Sequence, residues 1–306
     1  MNTIDETNIA QKEVTTKETR MQHKKGRSQL SEVWRRLKKN KGALIGFYIF
    51  AAIVLLALAA PIIVDYETQV AGSNSAERLL APSLKHLCGT DDMGRDIFAR
   101  LIYGARFSLM VGVVSSAIAA VIGIAAGAIA GYFGGKIDMV IMRIDDVISS
   151  IPSILMAMCI VAALGTDSFN LMLAIGISSI SKFSRITRAA VMSVSGSEYV
   201  EAARAVGESE AQIIIKHILP NCLSPIIVQG TLRVGTCIVR ASSLSFLGLG
   251  IAPPSPEWGA MLSAGRQYLR GYSYMTIAPG LAIMLTVVSL NLLGDGLRDA
   301  LDPKQK

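Results

Sequence analysis

Charged side chains leave long parts of this chain untouched. Positions 42–64, 107–135 and 147–166 contain no Asp, Glu, Lys or Arg. A fourth apolar stretch, 168–181, is short alone but extends toward Arg188. A fifth runs over 218–250, interrupted by Arg233 and Arg240, and a sixth over 271–294. About 20 apolar residues, each rising about 1.5 Å in a helix, cross the ~30 Å hydrocarbon layer of a bilayer. The pattern therefore predicts an all-α, polytopic membrane protein with six transmembrane helices. The first run is followed by Pro61, Asp65 and Tyr66 and not by a small-residue cleavage site, so it reads as a retained span and not as a signal peptide.

Six spans put both termini on one side, and the Lys/Arg bias of the loops chooses the side. With the N-terminus cytosolic, the inside segments carry 21 basic residues and the outside segments 7. The expected organisation is a polar basic cytosolic tail over 1–41, a first transmembrane helix over 42–64 and an extracytoplasmic loop over 65–106. A five-helix core over 107–303 follows, with a cytosolic loop at about 195–220. Composition agrees with a place in the cell membrane: 51% of residues are hydrophobic and 17% charged, against about a quarter charged in soluble domains. The formal net charge of +7 does not indicate nucleic-acid binding. Residues 1–41 hold 11 Lys+Arg against 5 Asp+Glu, ending in Trp34-Arg35-Arg36-Leu37-Lys38-Lys39-Asn40-Lys41, while the remainder holds 19 against 18. That is the flank of a membrane span.

Within the second run, Gly123, Gly127 and Gly131 recur every four residues and present hydrogen atoms along one helix face. Helices in lipid associate through such faces, because lipid offers no hydrophobic drive. In the cytosolic segment, Ser195 with Glu198 and Ser209 with Gln212 form capping-box patterns. Gly207 stands where a helix would need a left-handed last residue, and Pro220 where the second helix should break. Two short helices bent at Gly207 are expected, facing the cytosol between spans. No Gly-x-x-x-x-Gly-Lys-[Ser/Thr] phosphate cradle occurs. His23, His86 and His217 are scattered, and Cys88, Cys159, Cys222 and Cys237 lack metal-site spacing. Neither a catalytic residue, nor a metal site, nor a cofactor is expected of this chain.

Glu201-Ala202-Ala203, three residues, Gly207, nine residues, then His217-Ile218-Leu219-Pro220 resembles the EAA loop of permease subunits in binding-protein-dependent ABC importers. The usual pattern has isoleucine where this chain has His217. Further segments are similar to the dipeptide, oligopeptide and nickel permeases, specifically the second of their two permease subunits. These are Gly89-Thr90-Asp91-Asp92-Met93-Gly94-Arg95-Asp96, Ala130-Gly131-Tyr132-Phe133-Gly134-Gly135-Lys136-Ile137-Asp138, Leu244-Ser245-Phe246-Leu247-Gly248-Leu249-Gly250, Pro256-Glu257-Trp258-Gly259 and Asn291-Leu292-Leu293-Gly294-Asp295. The resemblance runs from about Gly42 to Pro303. It implies a type I importer fold and a coupling helix around Glu201, Ala202, Ala203 and Gly207, with Leu219 and Pro220 closing the loop. It also implies a homologous second permease, two ATPase subunits that use ATP, and an extracytoplasmic substrate-binding protein, with membrane lipid around the spans.

Two further sets of residues are candidates. Arg233 and Arg240, seven apart and so on one helix face, are expected either to line the translocation pathway or to serve as structural charges, since a charge inside a span is costly. Ala241, preceded by Arg240, stands where peptide permeases of this type commonly carry an acidic residue. Asp91, Asp92, Arg95 and Asp96, with the 253–258 segment, are the expected docking site of the binding protein. The reading is a peptide importer permease working by alternating access. A nickel or metal-chelate importer is the alternative, and an ion-coupled secondary carrier is the alternative of another class.

Overall fold

The computed structural model describes residues 29–251 and 254–301, and among these the regular structure is helical, with one isolated bridge between Thr90 and Asp96. A short helix, α1 (Gln29–Leu37), precedes the first long one, α2 (Lys41–Ile63). Asn40 separates them and accepts a hydrogen bond from the Ala43 N–H at 3.2 Å. Helix α2 is uncharged beyond Lys41. Its Leu55, Leu58 and Ile62 are exposed, as lipid-facing residues are, while Ala57 and Ala60 are buried against α3.

Helix α3 (Ile97–Phe133) is the central pillar, 37 residues and roughly 55 Å long. It begins ten residues before the charge-free run that announced it, so the last part of the expected 65–106 loop is helix. Arg100 and Arg106 interrupt the apolar pattern without interrupting the helix. Arg100 is buried and donates to the Val70 carbonyl at 2.7 Å, and Arg106 lies 5.4 Å above the Tyr103 ring. Further along, the Gly123, Gly127 and Gly131 face meets α7 (Ile180–Val194). A Cβ at these glycines would lie 2.7, 2.3 and 2.7 Å from the carbonyl oxygens of Ile180, Ser184 and Arg188. The backbones touch because nothing separates them.

The expected third span is not one straight helix. Helix α4 (Gly135–Ser150) and α5 (Ser153–Leu164) meet at 86°. Pro152 disfavours helical backbone in the residue before it, and Ile151 is extended at φ −89°, ψ 126°. Helix α6 (Ser168–Ile177) has ten residues, too few to span alone, and is separated from α7 only by Ser178 and Ser179. Among the described residues, four helices are long and apolar enough to cross a membrane, or five if the bent pair is one span.

After α8 (Glu198–Ala205) comes a continuous helical run, α9 (Glu210–Phe246). Pro220 does not break it. The turns over Ile213–Ile218 are widened to π type and those over Leu219–Cys222 tightened to 3₁₀, so the proline enters at the start of a turn. The Asn221 side chain donates to the His217 carbonyl at 2.7 Å, supplying a donor that the proline cannot. Helices α10 (Trp258–Gly265) and α11 (Tyr274–Leu301) complete the fold. The main core joins Val111 of α3, Val161 of α5, Leu171 and Ile175 of α6, and Cys237 and Leu244 of α9.

Candidate functional site

The 195–220 segment forms a cored hairpin. Gly207 sits at φ +88°, a conformation that costs a non-glycine residue about 1–2 kcal/mol. Glu208 N–H donates to Ala203 O at 3.2 Å and Gly207 N–H to Arg204 O at 3.1 Å, the paired bonds that close a helix on a left-handed residue. Ser209 opens the next helix, its N–H and hydroxyl both donating to Gln212 Oε1, at 3.1 and 3.0 Å. The Ser195–Glu198 box does not form. Helix α7 runs on to Val194, Ser195 ends it, and Ser197 is the residue preceding α8.

Beneath the hairpin, Val200, Ile213, Ile218 and Cys222 are buried against Val191 of α7 and Ala128 of α3, with Ala203 and Leu219 packed on them. Glu201, Ala202, Arg204, Ala205 and Gly207 consequently face outward, as does Pro220, and Val206 is 85% exposed. Two polar contacts close the structure. His217 Nε2 lies 2.8 Å from Glu208 Oε2, tying the second arm back to the residue that follows Gly207. Arg204 donates to the Tyr132 hydroxyl at 3.0 Å and lies over its ring, and that hydroxyl donates to Glu210. The hydrogen bond to Tyr132 raises the Arg204 guanidinium further above its ordinary value. Tyr132 at the end of α3 thus holds both arms of the hairpin. In the sequence, its place in the family-like 130–138 segment is the signal for this role.

Arg233 and Arg240 lie on α9 and are half-buried. Arg240 Nη1 donates to Ser179 Oγ at 2.9 Å, at the break between α6 and α7. Arg233 Nε is buried and has no hydrogen-bond partner among the described residues. Neither arginine makes a salt bridge to a described carboxylate.

At the opposite end of α3, the acidic loop residues organise their own backbone. Asp91 and Arg95 are buried and paired at 2.7 Å, and the Asp91 carboxylate also accepts from the backbone N–H groups of Met93 and Arg95, each at 2.9 Å. Asp96 caps α3 through the Ala99 N–H and holds the His86 ring at 2.8 Å. The Asp92 carbonyl receives Arg78 Nε at 2.7 Å. Close by, the Lys85 ammonium on the Glu77 carboxylate holds that group below the usual carboxylate range.

The 253–258 segment is also turned inward where it is described; Pro253 falls outside the described residues. Glu257 is fully buried. It accepts from Ser245 Oγ at 2.8 Å and from the backbone N–H groups of Gly259 and Ala260 at 2.9 and 2.8 Å. Trp258 Nε1 donates to the Leu101 carbonyl at 2.9 Å, and its N–H to Ser108 Oγ at 3.2 Å. The Glu257 carboxylate thereby ties α9 to α10 and Trp258 ties the same corner to α3, roles that sequence reasoning missed.

The family described as the inner membrane component of binding-protein-dependent transport systems matches residues 123–306, and the N-terminal transmembrane domain of oligopeptide transport permease C matches residues 28–82. The chain is 48% identical over 275 residues to the dipeptide transport system permease protein DppC of Alkalihalophilus pseudofirmus, covering 90% of each. It is 42% identical over 286 residues to the di/tripeptide permease DppC of Pseudomonas aeruginosa, covering 91% of this chain and 93% of that one. The glutathione transport system permease GsiD of Escherichia coli is 42% identical over 276 residues, 90% of each chain. Among solved structures, a chain of the methionine ABC transporter MetNI has a TM-score of 0.53 at 20% identity, covering 67% of this chain and 98% of that one. That likeness speaks for the fold alone. The chain belongs to the inner membrane components of binding-protein-dependent transport systems, as a multi-pass, DppC- and OppC-like permease subunit of an ABC transporter.

Proposed function

We propose that this chain is the second permease subunit of an ATP-driven importer carrying dipeptides and oligopeptides across the cytoplasmic membrane. It would pair with a homologous permease, two ATPase subunits that bind and hydrolyse ATP, and an extracytoplasmic binding protein. Both termini would be cytosolic, with α6 and α7 together making the crossing that completes six. The observation that carries the reading is the cored hairpin with Val206, Ala202 and Glu201 turned outward. An ordered cytosolic surface of small apolar residues, anchored through Val200 to α3, α7 and α9, suits insertion into a partner's groove. Closure of the ATPases would push on α8, and Tyr132 and the Gly123–Gly131 seam would carry that displacement into the spans.

The identities of 39–48% to dipeptide permeases support a peptide substrate. Arg233 and Arg240 are then assigned to the translocation pathway, where Arg233 would meet a peptide carboxylate. Uptake unchanged in an R233L/R240L variant overturns that assignment. In the outer loop, the inward ion pairs would set the shape, and exposed residues such as Leu84 and Met93 would touch the binding protein.

The test is uptake of a radiolabelled dipeptide, and separately of nickel, by the complete transporter in cells lacking their own importers. Dipeptide accumulation that requires ATP and is abolished by Gly207→Asp is expected. Accumulation of nickel without dipeptide overturns the substrate class. A Gly207→Asp variant that still binds the ATPases and transports overturns the coupling assignment.

A further inference from the structure

Five cations fall within seven positions, Arg35, Arg36, Lys38, Lys39 and Lys41, directly before a span without charge. Their number is an ordinary signature of a cytosolic flank; their arrangement is more specific. Helix α1 folds back on the C-terminal end of α11 and packs against it. Leu37 is buried, and Asn40 Nδ2 donates to Asp299 Oδ2 at 3.2 Å. Gly296 allows the approach: a Cβ there would stand 2.2 Å from Ala43 Cβ and 3.4 Å from Leu37 Cδ1.

Between α1 and the last turns of α11 lies a cleft lined by Arg35, Arg36, Lys39, Asn40 and Asp299. Arg35 and Lys39 line it together with Asp299, whose carboxylate accepts a hydrogen bond from Asn40. Trp34 fixes where this cleft lies along α2. Its ring meets Phe47, six positions into α2, edge-to-face with centroids 5.6 Å apart, and Lys38 Nζ lies 5.3 Å from the Trp34 ring centre. A tryptophan half-embedded beside the first turns of a span marks the headgroup level, and a basic cleft at that level on the cytosolic side suits an anionic lipid headgroup.

We propose that this cleft is a binding site for an anionic phospholipid of the cytosolic leaflet, its phosphodiester held by Arg35 and Lys39. The lipid would bridge the start of the first span and the end of the last, so its occupancy would hold α1 against α11. An acidic protein surface is the competing occupant. The lipid is favoured because the cations flank a ring packed on Phe47, within the first turns of the span. This inference depends on the cytosolic orientation proposed above, but not on the substrate or the coupling assignment.

Native mass spectrometry of the full-length permease, released from micelles with phosphatidylglycerol or phosphatidylcholine, tests it. Wild type is expected to retain phosphatidylglycerol at least about tenfold more than phosphatidylcholine, in the range that two phosphate-pairing cations supply. R35Q/K39Q should lose that preference, R35K/K39R should keep it, and R143Q, a control at an exposed arginine on α4, should leave it unchanged. Soluble glycerol phosphate separates a lipid from a free phosphate: if it raises the melting temperature as much as phosphatidylglycerol does, a free-anion site replaces the lipid site. Equal retention by wild type and R35Q/K39Q overturns the proposal. So does loss of ATPase co-purification in R35Q/K39Q with lipid retention intact, which identifies a protein contact instead. Because transport is not read, failure here is distinguishable from failure of the proposed peptide importer.

Discussion

The contact between α3 and α7 makes a quantitative prediction at Gly127. A Cβ there would lie 2.3 Å from Ser184 O, 2.9 Å from Thr187 Cβ and 3.0 Å from Arg188 N. Ordinary van der Waals contact begins near 3.4 Å, so alanine must move the helices apart by about 1 Å. The obstacle is backbone on both sides and no rotamer relieves it. Tilting does not relieve it either, because Gly123 and Gly131 make the same approach one turn away on each side. Overpacking of this kind costs about 1–3 kcal/mol, and a backbone obstruction places it near the top. Alanine regains about 1 kcal/mol of helix propensity, leaving about 2 kcal/mol of destabilisation. Gly230 supplies the control: it lies inside α9, and a Cβ there meets nothing within 4 Å. Gly230→Ala therefore keeps the propensity gain alone. At about 2–4 °C per kcal/mol, thermal unfolding of the detergent-purified permease should place Gly127→Ala roughly 4–8 °C below wild type and Gly230→Ala slightly above it. Equal melting temperatures for the two variants would refute the reasoning, since the substitutions differ only in what surrounds them.

Three other outcomes are expected. Tyr132→Phe keeps the ring under Arg204 but removes both hydroxyl hydrogen bonds, about 0.5–1.5 kcal/mol at this exposed position; amides of 198–212 should exchange about 3–10-fold faster while those at the start of α3 stay unchanged. Glu257→Ala orphans two helix N–H groups and the Ser245 hydroxyl in the interior, so a loss of about 2–4 kcal/mol is expected in thermal unfolding, and a loss under 1 kcal/mol would count against the buried clamp. At Gly207, where a side chain has open space but φ is +88°, Ala should weaken transport-coupled ATP hydrolysis and Asn should largely retain it; equal effects would show that backbone strain is not the cause.

Much of this protein was legible along the chain, for a physical reason. Lipid cannot solvate charge or an unpaired backbone group, so uncharged runs of span length have to be helices there, and 42–64 is helix Lys41–Ile63. Gly207 was legible because a left-handed helix end is a local requirement, met by bonds no more than five residues apart. The glycine repeat was legible as a packing face, though not its partner. What sequence could not supply was the identity of distant partners. Helix α3 starts at Ile97 because the Arg100 charge is received by Val70 and Asp91, the former thirty residues away. Asp91, Arg95 and Glu257 look like surface chemistry in one dimension and prove to be interior bracing, because their donors arrive from other turns and other helices. Sequence alone determined that the chain is a bundle of membrane helices with a helical hairpin bent at Gly207. Tertiary structure decided which charges stay exposed and which are consumed within, because a carboxylate's role depends on what the fold brings within 3 Å of it.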